Sequence, residues 1–515
     1  MLKNHDVTDV TKTINIGEPY HPELWIDEKP KLWQQGMNNY NQHSAGRTAR
    51  ERRPDPPQQR LNSTDPTAVE SDIALPTIGS FRPETSSRSR LPECLFSAAI
   101  LMLTAIRANQ EYQWFIRTPG SSWNLGEWMI DYSGGFVRRG LAGAVLHSLL
   151  HLTGWSIFPV WASITVGLYL ALCAWFLSIS LRSYAPAIWR FALLFNPALL
   201  ISVCDFGSIT RTDMFFVGGT LLNVCCCRHA LKFSFKGNEL TQKFPFALVI
   251  AAATSTALAL THEGLVLFLW LPLNLAVTGW TVLQRNEDRK YTAILLSVAF
   301  APSLAAIAAS VRFHGSVASS VAICRSWRFA FHPICSPGPG FPPTLSTLTW
   351  NISQGTSLSL RYAWRFPLYL LLFALTGAVL ALAIGRLRGS VRLDHLLVLF
   401  LLPFAASLPL YVLGEDWGRW MCLLEMCILP VALSDTLRPA LYDCVPQQLS
   451  KFVTKRIATP LIPLSQRVSG AIENEWLTFS LALTVLSVPL IPEPELMVLN
   501  RVAIVMNLLH QHPFR

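Results

Sequence analysis

Apolar positions in this chain run together rather than alternate. Runs lie near residues 91–108, 157–181, 188–204, 213–227, 244–260, 264–283, 292–311, 366–385, 393–413, 420–437 and 476–491. A helix needs about 20 residues to cross the hydrocarbon of a bilayer. Eleven runs of this kind predict an all-α polytopic membrane protein with about eleven transmembrane helices. A further stretch, "LAGAVLHSLLHLTGW" (141–155), is apolar but short and carries two histidines four apart. It predicts a helix lying in the membrane interface within the first outer loop. Residues 1–90 are polar and rich in Pro, Arg, Ser and Asn, as in "RTARERRPDPPQQR". They lack the periodicity that builds a core and predict a disordered basic tail. No apolar run opens the chain, so no cleaved signal peptide is expected. The expected organisation is a tail over 1–90, a transmembrane domain over 91–491 and a short C-terminal segment over 492–515.

Composition agrees with that pattern. The 515 residues are 51% hydrophobic and 14% charged, against about a quarter charged in soluble domains. The net charge of +10 does not point to nucleic acid, because the basic residues sit in the tail and in short loops between apolar runs. With the tail in the cytoplasm, the short inner loops carry Arg182 and Arg190; Arg228, Lys232, Lys236 and Lys243; Arg285, Arg289 and Lys290; and Arg386, Arg388 and Arg392. The short outer loops carry only Arg211 and Arg419. Twelve cations against two obey the positive-inside bias and predict a cytoplasmic N-terminus.

The same topology sends every unusual polar stretch to the outer side. "DYSGGFVRRG" follows the first run and holds Asp131, Arg138 and Arg139. "CDFGSITRTD" holds Asp205, Arg211 and Asp213. "THEG" holds His262 and Glu263, and "GEDWGRW" holds Glu415, Asp416 and Arg419. Ionisable groups at span ends are costly unless solvated, paired or functional. Each stretch alone has a structural reading: Asp131 as a helix cap, the arginines snorkelling to headgroups, Asp416 and Arg419 as a one-turn ion pair. Four on one face predict a single polar cavity at the outer membrane surface.

The chemistry of that cavity is narrowed by what is missing. There is no phosphate-binding glycine loop and no GxSxG turn, and His262-Glu263 continues as Gly-Leu-Val rather than HExxH. Nucleotide hydrolysis and zinc proteolysis are therefore unsupported. Acids and arginines over a lipid-facing cavity suit an anionic, lipid-linked substrate. Arginine forks hold phosphate or pyrophosphate, and a carboxylate deprotonates an acceptor hydroxyl. No cofactor is expected, and no motif calls for a metal ion, though a divalent ion stays open.

The eleven cysteines show no metal-ligand spacing. Cys225–Cys227 read as small apolar filler, with acylation the alternative. Cys324 and Cys335 share the long outer loop 312–365 and can pair if it faces an oxidising space. That loop also holds "FHPICSPGPGFPP", the sequon Asn351-Ile352-Ser353, and Trp327 and Trp350 as interface candidates.

In layout, from the first run to the eleventh, the chain resembles the GT-C fold membrane glycosyltransferases, which use polyprenyl-phosphate-linked sugars. As a motif, the likeness rests mainly on Asp131 in the first outer loop, followed by the interfacial stretch 141–155. The pattern also resembles O-antigen polymerase-type membrane proteins. The adjacent acidic pair usual in that GT-C loop is absent, since Glu127 stands four positions before Asp131. The resemblance implies action on a lipid-linked sugar or glycan at the periplasmic or lumenal face. It implies Asp131 as catalytic acid-base group and Arg138, Arg139, Arg211 and Arg419 on the phosphate side. Asp205, Asp213, His262, Glu263, Glu415 and Asp416 complete the expected substrate site. Membrane lipid is the other expected partner. The alternative class is a transporter or flippase for a polar or anionic lipid-linked substrate.

Overall fold

The computed structural model describes residues 89–117, 123–204, 211–232, 243–284, 288–331, 333–336, 341–388, 393–414 and 416–438. Among them every regular element is helical. In chain order these are α1 (Leu91–Arg117), α2 (Trp123–Met129), α3 (Gly140–Thr153), α4 (Ile157–Arg182), α5 (Ala187–Leu194), α6 (Pro197–Cys204), α7 (Met214–Lys232) and α8 (Lys243–Thr261). Next comes a composite helix of α9 (Glu263–Leu265), a π-helical turn Val266–Trp270 and α10 (Leu271–Leu283). After it follow α11 (Arg289–Arg312), α12 (Val317–Ser326), α13 (Pro343–Ser346), α14 (Ile352–Arg361), α15 (Phe366–Arg388), α16 (Leu393–Leu413) and α17 (Trp417–Ala432).

Among the described residues, six helical stretches are long and apolar enough to cross a membrane: Leu91–Gln113, Ile157–Arg182, Met214–Leu231, Glu263–Leu283, Arg289–Arg312 and Ala363–Leu387. The expected eleven is not confirmed among the described residues, and the remaining runs differ for identifiable reasons. The run 188–204 is two eight-residue helices, α5 and α6. Pro197 offers no N–H and disfavours helix at the residue before it. Asn196 turns out of the helix and its Oδ1 accepts the Ala198 N–H at 2.6 Å, capping α6. The apolar parts of α8 and α16, Phe246–Thr261 and Val398–Leu413, fall short in length. The tenth run becomes the 16-residue α17, and 476–491 lies outside the described residues.

α17 is the centre of the bundle. All of its residues from Trp417 to Ala432 are buried, and its two charged side chains, Arg419 and Glu425, meet partners on other segments, Arg419 pairing with Asp213 and Glu425 accepting the Thr376 hydroxyl. It packs against α6, α7, α15 and α16. Around it, α7 and α10 are joined by buried amides: Asn223 Nδ2 donates to Asn274 Oδ1 at 2.8 Å, and Thr278 Oγ1 donates to Asn223 Oδ1 at 3.3 Å. Polar side chains of this kind hold helices together where lipid supplies no hydrophobic drive. The π-helical turn precedes Pro272, whose missing N–H breaks the regular ladder there. A second, smaller core lies under the loops between α1 and α4 and between α11 and α15. It gathers Leu125, Trp128, Val137, Leu146, Trp161, Trp327 and Leu348. The Cys324–Cys335 disulfide sits in this core.

Candidate functional site

The first connection after α1 shapes one wall of the site. α2 ends at Met129, and the chain then turns tightly, with the Gly135 N–H donating to the Tyr132 carbonyl at 3.0 Å. Gly135 has φ +92°, a left-handed value that glycine tolerates. A Cβ on Gly134 would stand 2.5 Å from the Ser319 carbonyl oxygen, so the turn lies directly on α12. Asp131 is buried within this turn at 1% exposure. Its Oδ1 accepts the Ser133 N–H at 2.8 Å, and its Oδ2 accepts the Ser326 hydroxyl at 3.2 Å. Both oxygens of Asp131 thus serve the turn and its anchorage to α12.

Arg138 and Arg139 follow. The Arg138 N–H donates to the Phe313 carbonyl at 3.1 Å and its Nη2 to the Thr347 carbonyl at 2.6 Å. These bonds aim the guanidinium towards Glu263, with Nη1 3.9 Å from Oε1. Burial, with the like charge of Arg139 beside it, pulls Arg138 down to about 10. Arg139 sits at the N-cap of α3 with φ 64°, and among the described residues it alone carries a side chain in the left-handed region. Its Nε stands 3.5 Å from Glu263 Oε2.

A tighter network lies beside this pair. Arg211 spans two acids, with Nη2 3.1 Å from Glu127 Oε1 on α2 and Nη1 3.6 Å from Asp416 Oδ2. Arg419, one turn into α17, bonds Asp213 at the head of α7 and reaches Asp416 at 2.5 Å. Burial alone would push the Asp416 carboxyl up, but Arg419 and Arg211 outweigh it and hold the group at about 2. His262 caps α9, its Nδ1 accepting the Leu265 N–H at 3.4 Å. Burial and the charges of Arg139, Arg419, Arg138 and Arg211 hold its pKa well below the usual histidine value. The imidazole is therefore neutral, and with Nδ1 accepting, its proton is on Nε2.

Segments far apart in sequence thus converge at one end of the bundle. Arg138, Arg139, Arg211, Asp213, His262, Glu263, Asp416 and Arg419 share one electrostatic neighbourhood. Asp131 makes its bonds to Ser133 and Ser326 rather than to these arginines. Asp205 and Glu415 lie outside the described residues. Sequence reading passed over Glu127 as a site residue. Its signal was present, an acid on a short helix before the Asp131 turn, but α2 was not foreseen. Among the described residues no three His, Cys, Asp or Glu side chains group as metal ligands.

Six long apolar helices among the described residues, with polar groups gathered at one end, make this chain a multi-pass integral membrane protein. A family model described as "Uncharacterised membrane protein Rv1490" matches residues 96–335, a little under half of the chain. The matched range contains Glu127, the two adjacent arginines, Arg211, Asp213, His262 and Glu263, and stops before Asp416 and Arg419. No curated protein and no solved structure matches the chain.

Proposed function

We propose that this chain is a glycosyltransferase-like membrane enzyme acting on a phosphate-linked lipid sugar or glycan at the outer membrane face. The observation that carries this reading is the convergence of four guanidinium groups with a neutral histidine and Glu127 in one cluster. Guanidinium forks suit the donor phosphate, and the His262 Nε2–H suits one of its oxygens. The acid suited to the acceptor hydroxyl is Glu127 rather than Asp131. Its Oε1 faces Arg211 at 3.1 Å and its Oε2 is buried with no hydrogen-bond partner. In the step proposed, the acceptor oxygen bonds to the anomeric carbon of the donor sugar. The bond from that carbon to the phosphate oxygen breaks, the proton passes to Glu127 and the phosphate leaves on its lipid. Removing such a base typically costs about 10²–10⁴ in rate.

The test is sugar transfer from a polyprenyl-phosphate donor by purified protein in nanodiscs. Glu127→Gln should abolish most turnover with expression intact, and Asp131→Asn should retain it within a few-fold if that variant folds. The opposite pattern would return the acid role to Asp131. A transporter reading has its own support. The α5–α6 break at Asn196-Pro197 and the π-helical turn below His262 are the discontinuities that substrate-moving helices use. Movement of the lipid-linked sugar with no new bond formed would favour it.

A further inference from the structure

Among the described residues, Arg138, Arg139, Arg211 and Arg419 form ion pairs with four carboxylates, those of Glu127, Asp213, Glu263 and Asp416. The balance is uneven within the cluster. Arg211 and Arg419 are shared among three acids, with separations of 3.1 and 2.5 Å to Glu127 and Asp416 and a close bond to Asp213. Arg138 and Arg139 share one carboxylate, Glu263, at 3.9 and 3.5 Å. Those separations exceed hydrogen-bond length. Accordingly, Glu263 Oε2 and the Nε atoms of both arginines are buried without a hydrogen-bond partner. Two guanidinium groups thus face one loosely held acid, beside a histidine that carries no charge.

Resting on the phosphate reading above, we propose that Glu263 is a placeholder, displaced when the phosphate of the substrate binds between Arg138 and Arg139. A phosphate offers more acceptor oxygens than a carboxylate and carries up to two charges. It can therefore make the short charge-assisted bonds that Glu263 leaves unmade. Arg138 is already aimed by its bond to the Thr347 carbonyl, and Arg139 by its left-handed backbone. The cradle therefore persists when Glu263 withdraws. In the ligand-free protein Glu263 limits repulsion between the two arginines, and its charge also competes with the incoming anion.

The experiment measures binding of inorganic pyrophosphate and of geranyl phosphate to the full chain in nanodiscs of neutral lipid. Glu263→Gln removes the competing charge and should tighten binding by about tenfold, roughly 1.4 kcal/mol. Arg139→Gln should weaken it by a similar factor. Glu263→Ala, with a smaller side chain, gives the same direction and replaces the Gln variant should that one fail to fold. Tightening for geranyl phosphate alone identifies the ligand group as a lipid headgroup, and tightening for both identifies phosphate itself. Weaker or unchanged binding of both probes by the Glu263 variants overturns the proposal. Sugar transfer is read in parallel. Tightened binding without transfer in the wild type sinks the enzyme reading and keeps the placeholder, and transfer without tightened binding does the reverse.

Discussion

Arg139 offers a perturbation whose structural and functional consequences point in opposite directions. Its φ of 64° places a Cβ-bearing residue in the left-handed region at the start of α3, which costs about 1–2 kcal/mol. Its ion pair with Glu263 is long, at 3.5 Å, and its side chain is 27% exposed. A pair of that kind contributes about 0–1 kcal/mol. Arg139→Ala keeps the backbone strain and loses the pair. Arg139→Gly loses the same pair but relieves the strain, less about 0.5–1 kcal/mol for the freer glycine in the unfolded chain. The glycine variant should therefore be more stable than the alanine variant by about 1 kcal/mol and close to the wild type. Both should weaken pyrophosphate binding equally, by about tenfold. Tryptophan fluorescence during unfolding in mixed micelles reads the first difference, and titration calorimetry the second. A glycine variant less stable than the alanine variant would show that the strain is not carried at this residue. Wild-type binding in both would show that Arg139 holds no ligand.

Three further outcomes follow from the ion network and the loop core. His262 is held neutral in the fold while an unfolded histidine takes up a proton near pH 6.5; stability should therefore fall as pH drops from 7 to 5, and His262→Asn should flatten that slope in pH-dependent unfolding. Arg419→Met leaves Asp213 and Asp416 without their shared partner and should cost about 3–5 kcal/mol, part of it recovered by adding Asp213→Asn in a double-mutant cycle. Cys324→Ser opens a loop of sequence separation 11 and should cost about 3 kcal/mol; a reductant should produce the same loss in the wild type and none in the variant.

The helical, membrane-embedded character was legible because hydrophobic runs follow from local sequence. The continuity of each run was not, because it depends on single residues. Pro197 splits one run into α5 and α6, with Asn196 capping the second half. The short α17 reads as an ordinary span, yet it lies in the middle of the bundle, where depth is set by neighbouring helices and not by its own hydropathy. Arg190 misled in another way. Counted among the loop cations, it is 1% exposed, bonds Glu93, and donates to the Ala185 carbonyl at 3.2 Å. A cation at a helix end is a topology signal when solvated and a packing element when an acid elsewhere in the chain waits for it.

The site divides along the same line. That the polar stretches meet was expected from the order of the runs, and the ion pairs join them. Which acid meets which arginine could not be read there, since Asp213 and Arg419 are 206 residues apart. Glu127 and Asp131 show why spacing misleads. Four residues apart, they would share a face on one helix, but α2 stops at Met129 and the chain turns. Glu127 then faces Arg211, while Asp131 is taken by Ser133 and Ser326. Two independent signals fit an outer placement of this end. Even without the buried Arg190, eleven loop cations against two fit opposite loops that face the cytoplasm. The Cys324–Cys335 disulfide, in the core that also holds Leu125 and Trp128 of α2, fits an oxidising space. One signal rests on loop charge during insertion and the other on redox chemistry after folding. An inverted protein would run against both, with its arginine cluster and its disulfide facing the reducing cytosol and its basic loops translocated, and cysteine-accessibility labelling of the loop 228–243 from outside would reveal that inversion.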